Sequence, residues 1–216
     1  MYGDADTIRK LGSVRSLFTK GPFYGIGKYS KQDNILSMLD EAKHKSLKAK
    51  LSPGFSSKGG VGFEPKVDQI LGELIHLINT KYISTPTEYH PLDFAHAAMF
   101  FVLDVVSEVG WSEALGYVRN DKDMHRYIEL NDTMLPILSP IVPIVWVLPI
   151  ISTWPLSKLQ PGEGDDVGFG KLMDFAREVV AKRLVPGAEE PNDVLQAHIR
   201  NGVKRDELAI EMCLEM

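Results

Sequence analysis

The chain has 216 residues, which is long enough for one domain with its own hydrophobic core. Its hydrophobic share of 44% and its charged share of 25% are ordinary for a soluble globular protein. A net charge of -5, with no basic face beyond one local patch, argues against general nucleic-acid binding. The single cysteine excludes an internal disulfide and a cysteine-based zinc site.

A basic stretch at residues 41–56 is the first segment that points to chemistry. It places His44 and Lys48 one helical turn apart on one face, whereas Leu47 and Leu51 share the neighbouring face. A cationic stripe beside an apolar stripe is typical of a partly buried helix that holds an anion, such as a carboxylate or a phosphate. The alternative is a lysine face that is simply solvated.

Three later segments have the periodicity of helices. The first opens at Glu64-Pro65, and its apolar stripe consists of Val67, Ile70, Leu71, Leu74, Ile75 and Ile78. The second, from Leu92 to Val109, is apolar almost all round, which predicts a place at the centre of a bundle. The third runs from Phe169 to Leu184 and stops at Pro186-Gly187. The predicted fold is therefore mainly α, an orthogonal helical bundle.

The stretch from Met134 to Ser152 carries no charged residue and contains four prolines. Its length approaches that of a membrane helix, but repeated proline disfavours a spanning helix. Trp146 and Trp154 would suit a membrane surface, where indoles lie at the level of the headgroups. A kinked segment packed within the protein is the alternative.

The last predicted helix runs from about Arg205 to Met216. Its apolar register continues through Leu208, Met212 and Met216 with no Gly, Pro or basic closing turn. This pattern favours a truncated helix, and fraying of a natural terminus is the alternative.

Four segments, in this order along the chain, resemble segments of the fungal heme-thiolate monooxygenases of the cytochrome P-450 superfamily. They are Phe18–Tyr24, the basic helix with its Leu-Ser-Pro-Gly-Phe-Ser ending at Ser56, Asp104–Trp111, and the stretch from Asn192 to Glu211. The resemblance implies a single partial domain, residues 1–216, that runs from the B helix to the start of the I helix. Its parts would be the B helix and B–C loop at 1–40, the C helix at 41–56, the D and E helices at 64–110, the F–G region at 125–185 and the start of the I helix at 205–216.

The resemblance also implies a heme b cofactor in the full-length parent and roles for particular residues. His44 and Lys48 would bind the heme propionates, although Lys48 stands where the family has Arg and so lacks a planar grip on a carboxylate. Phe23 and Tyr24 would contact the substrate from a variable loop. The roof of the substrate cavity would include Leu135, Ile137 and Leu138.

A parent of this family would insert one oxygen atom from dioxygen into a small organic substrate, either a secondary metabolite or another lipophilic compound. Its partner would be NADPH-cytochrome P-450 reductase, and its location the cytosolic face of the endoplasmic reticulum membrane, which residues 134–154 would touch. The family's Gly-x-(Asp/Glu)-Thr motif and cysteine loop do not occur in the chain. Cys213 lies mid-helix without glycine and is expected to be a packed core residue rather than a heme ligand. We therefore expect the chain to be inactive by itself.

Two alternatives remain open from the sequence. Glu41-x-x-His44, Glu73-x-x-His76 and Asp93-x-x-His96 each place a carboxylate and an imidazole one turn apart, as in a di-iron carboxylate bundle that activates oxygen. The lysines around His44 would repel metal cations. The other alternative is a helical binding fragment with no catalysis of its own.

Overall fold

The structure is a computed structural model that describes residues 3–13, 16–28, 32–56, 62–141, 143–144, 146 and 167–214. These residues are mostly helical, and no β-strand occurs among them. The prediction of a mainly α fold is therefore confirmed. Trp154, residues 142, 145 and 147–152 of the proline-rich stretch that precedes it, and Met216 lie outside the described residues.

Nine α-helices are found in the described part of the chain. They are α1 (Ala5–Leu11), α2 (Glu41–Leu51), α3 (Phe63–Leu77), α4 (Phe94–Trp111), α5 (Tyr117–Asn120), α6 (Tyr127–Leu138), α7 (Gly168–Arg183), α8 (Val194–Arg200) and α9 (Arg205–Leu214). Short 3-10 turns occupy Pro22–Gly27, Ser52–Phe55 and Met124–Arg126, and a π turn over Ile78–Tyr82 extends α3.

The hydrophobic core lies where α4 meets its neighbours. Helices α3, α5 and α8 pack against α4, while α9 packs against α7 and α8. Helix α8 also contacts α2 and the Ser52–Phe55 turn. The largest fully buried apolar side chains are Trp111, Tyr117, Ile70, Leu172, Met173, Leu195, Leu208 and Met212. The core thus joins the basic helix α2, through α8, to the long apolar helix α4.

Helix α4 is less enclosed than its composition predicts. Its core side is buried, but Phe94 is 66% exposed and Val102 is 54% exposed. Its length and apolarity alone would allow it to cross a membrane, although 39% of it is buried inside the protein. On α3, likewise, Ile70 and Leu74 are buried whereas Leu71 and Ile75 are exposed. In the described part of the chain, α4 packs against three other helices but leaves one apolar side exposed.

A buried aspartate explains the Asp-Val-Val-Ser pattern in α4. The Asp104 carboxylate accepts hydrogen bonds from the backbone N–H groups of Gly116, Tyr117 and Val118 at 2.7, 3.0 and 2.8 Å. Ser107, one turn later, accepts a hydrogen bond from the N–H of Leu115 at 3.2 Å. These side chains satisfy donors at the start of α5, which would otherwise be buried without partners. In this structure the pattern fixes a helix-to-helix turn.

Candidate functional site

Helix α2 begins with an aspartate cap and buries one face. The Asp40 carboxylate accepts hydrogen bonds from the N–H groups of Ala42 and Lys43 at 2.9 and 3.0 Å, which satisfies two donors of the first turn. Leu47 and Leu51 are buried in the core, as their spacing predicts. Because these leucines face the core, the neighbouring edge, which carries His44 and Lys48, lies at the rim of the buried face and is the outward edge of the site.

His44 and Lys48 both lie on this outward edge of α2. His44 is half-buried and Lys48 is exposed. They are one helical turn apart, so an imidazole and an ammonium can reach the same ligand from one helix. Helix α2 is also held at its end, where the Lys50 ammonium donates to the carbonyl of Gly202 at 2.8 Å. The pair is therefore carried by a helix that is fixed at both ends.

A third cation, Lys20, belongs to the same neighbourhood. Its ammonium donates to the carbonyl oxygens of Ile35 and Leu36 at 2.6 and 3.0 Å, in the turn that precedes α2. It also lies 5.6 Å from the centre of the Tyr24 ring, within the range of a cation–π contact. Sequence reasoning missed this role for Lys20, because no spacing rule links a loop lysine to a turn 15 residues later.

The electrostatics of this region favour an anion. Burial lowers the pKa of His44, and the positive charges of Lys20 and Lys48 lower it further, while Glu41 acts in the opposite direction. Burial also lowers the pKa of Lys20. Burial is the largest cause of both pKa shifts, and at His44 the positive charge of Lys20 adds repulsion to it. A bound carboxylate or phosphate would relieve this repulsion.

The turn before α2 is anchored to the core. Asn34 is buried, and its side-chain oxygen accepts hydrogen bonds from the N–H groups of Leu36 and Ser37 at 2.9 and 2.8 Å. The N–H of Ile35 donates to the buried Glu211 carboxylate of α9 at 2.9 Å. The carbonyl groups that hold Lys20 therefore have a fixed position relative to α9.

The two aromatic residues that are predicted to contact the substrate lie next to Lys20. Phe23 and Tyr24 are in the Pro22–Gly27 turn, and their rings pack edge to face with centres 5.7 Å apart. Both rings are partly exposed. Through Lys20, the structure connects Tyr24 with the turn that leads into His44 and Lys48.

The predicted roof residues occupy a different part of the structure. Leu135, Ile137 and Leu138 lie near the end of α6, which packs on α7 and on the Met124–Arg126 turn. Leu135 and Ile137 are exposed, and Leu138 is half-buried. Among the described residues, the main packing partners of α6 are therefore not α2 or the turn at Pro22–Gly27.

An apolar cavity of about 350 Å³ is lined by residues of α3, α4, α8 and α9 and by Phe55. Val106, Trp111 and Met212 are among the lining residues, whereas His44 and Lys48 are not. The cavity therefore does not lie beneath the predicted propionate-binding pair, and the assignment of that pair depends on the charges of α2 rather than on this cavity.

The described residues provide no cluster of His, Cys, Asp or Glu side chains that could hold a metal. The Glu73 carboxylate pairs with Arg119 at 2.8 Å. Asp93 and His96 are 2.8 Å apart, but Asp93 also caps α4 through the N–H groups of Ala95 and His96. This arrangement gives the di-iron alternative no support.

Cys213 does not fit the role of an axial heme ligand. It is buried within α9, and burial raises the pKa of its thiol to about 12. A heme-thiolate ligand must be deprotonated and must lie where backbone amides approach the sulfur. The residues present thus fit the carboxylate arms of a porphyrin and not its iron, and Cys213 is a packed core residue as expected.

Curated relatives align with this chain over nearly all of its length. Cytochrome P-450 monooxygenase ABA1 of Pyricularia oryzae is 32% identical over 100% of the chain and 43% of its own length. Cytochrome P-450 monooxygenase aba1 of Botryotinia fuckeliana is 30% identical over 96% of the chain and 42% of its own length. Cytochrome P-450 monooxygenase abl1 of Leptosphaeria maculans is 26% identical over 96% of the chain and 37% of its own length.

The chain thus spans about two fifths of the length of the curated relatives it matches. No family model matches it, and no solved structure matches it significantly.

Proposed function

We propose that this chain, whose resemblance to the cytochrome P-450 monooxygenases is confirmed along its whole length, forms the part of such an enzyme that binds the carboxylate arms of heme b. The observation that carries the proposal is the cationic edge of α2, where His44 and Lys48 lie one turn apart beside Lys20. A charge-assisted hydrogen bond from each of these groups to a carboxylate would contribute about 1.5–3 kcal/mol.

The parent activity follows from the family. Heme b, when bound, supplies the activation of dioxygen from which one oxygen atom enters a small organic substrate. In that setting His44 and Lys48 neutralise and orient the carboxylates, and the rings of Phe23 and Tyr24 offer an apolar contact to a lipophilic substrate. Electrons would come from NADPH-cytochrome P-450 reductase.

By itself the chain is proposed to bind but not to catalyse. Its single thiol, Cys213, is buried and held protonated, so it cannot supply the thiolate that the family's chemistry requires. When heme is added to the chain, the reduced and carbon monoxide-treated sample should lack a thiolate-type band. A strong band of that type would show that the proposal of an inactive chain is wrong.

Recognition of the carboxylates can be measured without iron. Protoporphyrin IX has two carboxylates, and its dimethyl ester has the same ring without their charge. We expect the diacid to bind more tightly than the diester, as followed by quenching of tryptophan fluorescence. Replacing both His44→Gln and Lys48→Gln should abolish this difference, while a Lys10→Gln control in the exposed helix α1 should preserve it. Equal affinities for diacid and diester in the unaltered chain would contradict the proposal.

The membrane-facing role of residues 134–154 is also a proposal, as is a location at the cytosolic face of the endoplasmic reticulum. The proposed membrane contact is supported by apolar side chains that are exposed to solvent: Leu135 is 59% exposed and Trp146 is 71% exposed. Side chains of this kind partition into the interface of a bilayer. The chain should therefore bind vesicles of neutral phospholipid, and binding should weaken in Trp146→Ser but not in Leu17→Ser, a control at another exposed apolar residue. Equal weakening in the two variants would contradict a specific role for this segment.

A further inference from the structure

We infer that Lys20 is the third cation of the anion site on α2 and the positioning residue that couples this site to the aromatic turn at Pro22–Gly27. This inference rests on the proposed function, since it concerns the same carboxylate ligand. It adds a residue that neither the sequence pattern of α2 nor the names of the relatives assign.

The contacts of Lys20 place it between two parts of the site. Its ammonium donates to the carbonyls of Ile35 and Leu36, which are backbone groups of the turn that leads into α2. The same ammonium lies 5.6 Å from the centre of the Tyr24 ring. An ammonium has three N–H donors, and two of them are used by these carbonyls. Among the described residues these two carbonyls are the hydrogen-bond acceptors of the ammonium, so its third donor is open to a ligand.

The turn at Ile35 and Leu36, which holds Lys20, is itself anchored to the core. The turn that accepts its hydrogen bonds is itself held by Glu211 of α9, through the N–H of Ile35 at 2.9 Å. Glu211 is buried, so its charge acts on Lys20 from the core and leaves the solvent-facing side to a ligand. A lysine fixed to such a support loses less side-chain entropy on binding than a free surface lysine does.

The charge of Lys20 reaches His44. Burial is the main reason that the pKa of His44 is lowered, and Lys20 is the next largest cause, ahead of the opposing effect of Glu41 and the smaller effect of Lys48. Lys20 in turn is influenced by Glu41, Glu211 and Lys48. A ligand with two carboxylates would meet two ammonium groups and the imidazole of His44, and Lys20 is the ammonium that also contacts Tyr24.

The test separates the charge of Lys20 from its hydrogen bonds. Lys20→Gln keeps an N–H donor for the two carbonyl groups but removes the charge, and Lys20→Arg keeps the charge. Lys45→Gln removes a charge from an exposed position of α2 and is the matched control. Folding of each variant is verified by circular dichroism and by the urea midpoint.

Two readouts are expected to move together. In Lys20→Gln the NMR-measured pKa of His44 should rise, and affinity for protoporphyrin IX should fall about 10- to 150-fold, as for the loss of one hydrogen bond between charged groups. Affinity for the dimethyl ester should stay unchanged. Lys20→Arg should return both readouts toward those of the unaltered chain.

The outcomes distinguish this inference from the function on which it rests. If the unaltered chain prefers the diacid but Lys20→Gln behaves like Lys45→Gln, the role of Lys20 is overturned and the proposed function stands. If the unaltered chain shows no preference for the diacid, the proposed function fails and the inference fails with it.

Discussion

Two arginine–carboxylate pairs in this protein offer a matched test of how burial changes the value of an ion pair. Arg183 lies 2.9 Å from Asp193, and Arg200 lies 3.0 Å from Glu190; the partners are ten residues apart in both pairs. The side chains of the first pair are 9% and 0% exposed, whereas those of the second are 56% and 64% exposed. Distance and sequence separation are nearly the same in the two pairs, whereas the first pair is buried and has a second arginine–carboxylate hydrogen bond at 3.1 Å.

The buried pair is also part of a larger network. The Asp193 carboxylate caps α8 through the N–H of Gln196 at 2.7 Å and accepts a hydrogen bond from the Ser112 hydroxyl at 2.8 Å. Arg183 also donates to the carbonyl of Trp111 at 3.0 Å. These contacts hold the ends of α4 and α7 against the start of α8.

Removing one partner should therefore have unequal effects. Arg183→Met leaves the Asp193 charge buried without its cation, which should lower the free energy of unfolding by about 3–5 kcal/mol. Glu190→Gln breaks the exposed pair and should lower it by about 0–1 kcal/mol.

Urea denaturation followed by far-UV circular dichroism measures both changes, and an unchanged slope would show that the same unfolding is being compared. If Arg183→Met does not fold, the double variant Arg183→Met/Asp193→Asn gives a second test. It should be the more stable of the two, because no unpaired carboxylate stays buried. Equal losses for Arg183→Met and Glu190→Gln would refute the reasoning.

Two further predictions concern Gly54, in the turn after α2, and His44, in α2. Gly54→Ala should destabilise the fold by about 1–3 kcal/mol, because a Cβ there would lie 2.8 Å from the His198 ring. Gly72→Ala in α3 is the control: its Cβ would meet no atom within 4 Å, so the variant should stabilise the fold by about 0.5–1 kcal/mol. Urea midpoints measure both changes. Because the folded-state pKa of His44 is lowered from 6.5, the unfolded chain binds its proton more readily, so stability should fall as the pH drops below that value. A smaller fall in His44→Gln would confirm the source, and an identical fall would contradict it.

The helical periodicity of the sequence predicted much of the fold. Predicted helices over Leu92–Val109 and Phe169–Leu184 correspond to α4 and α7, with ends that differ by one or two residues. Leu47 and Leu51 are buried as their spacing required. These features depend on contacts within a single helix, which a linear pattern records directly.

Contacts between distant segments could not be predicted in this way. Glu73 has His76 one turn away on its own helix, yet it pairs with Arg119 on α5. The role of Lys20 likewise depends on where the turn at Ile35 lies after folding. The apolar outer side of α4 shows the limit most clearly, since composition predicted burial but could not tell which side would be covered.

The location of porphyrin binding tests the central claim most directly. A 15N-labelled sample titrated with protoporphyrin IX would report, residue by residue, where the ligand lies. We predict that amide signals of Tyr24, His44 and Lys48 shift together, and that signals of Val106 and Met212 in the apolar cavity do not. Shifts confined to the cavity residues, with the signals of α2 unmoved, would contradict the account.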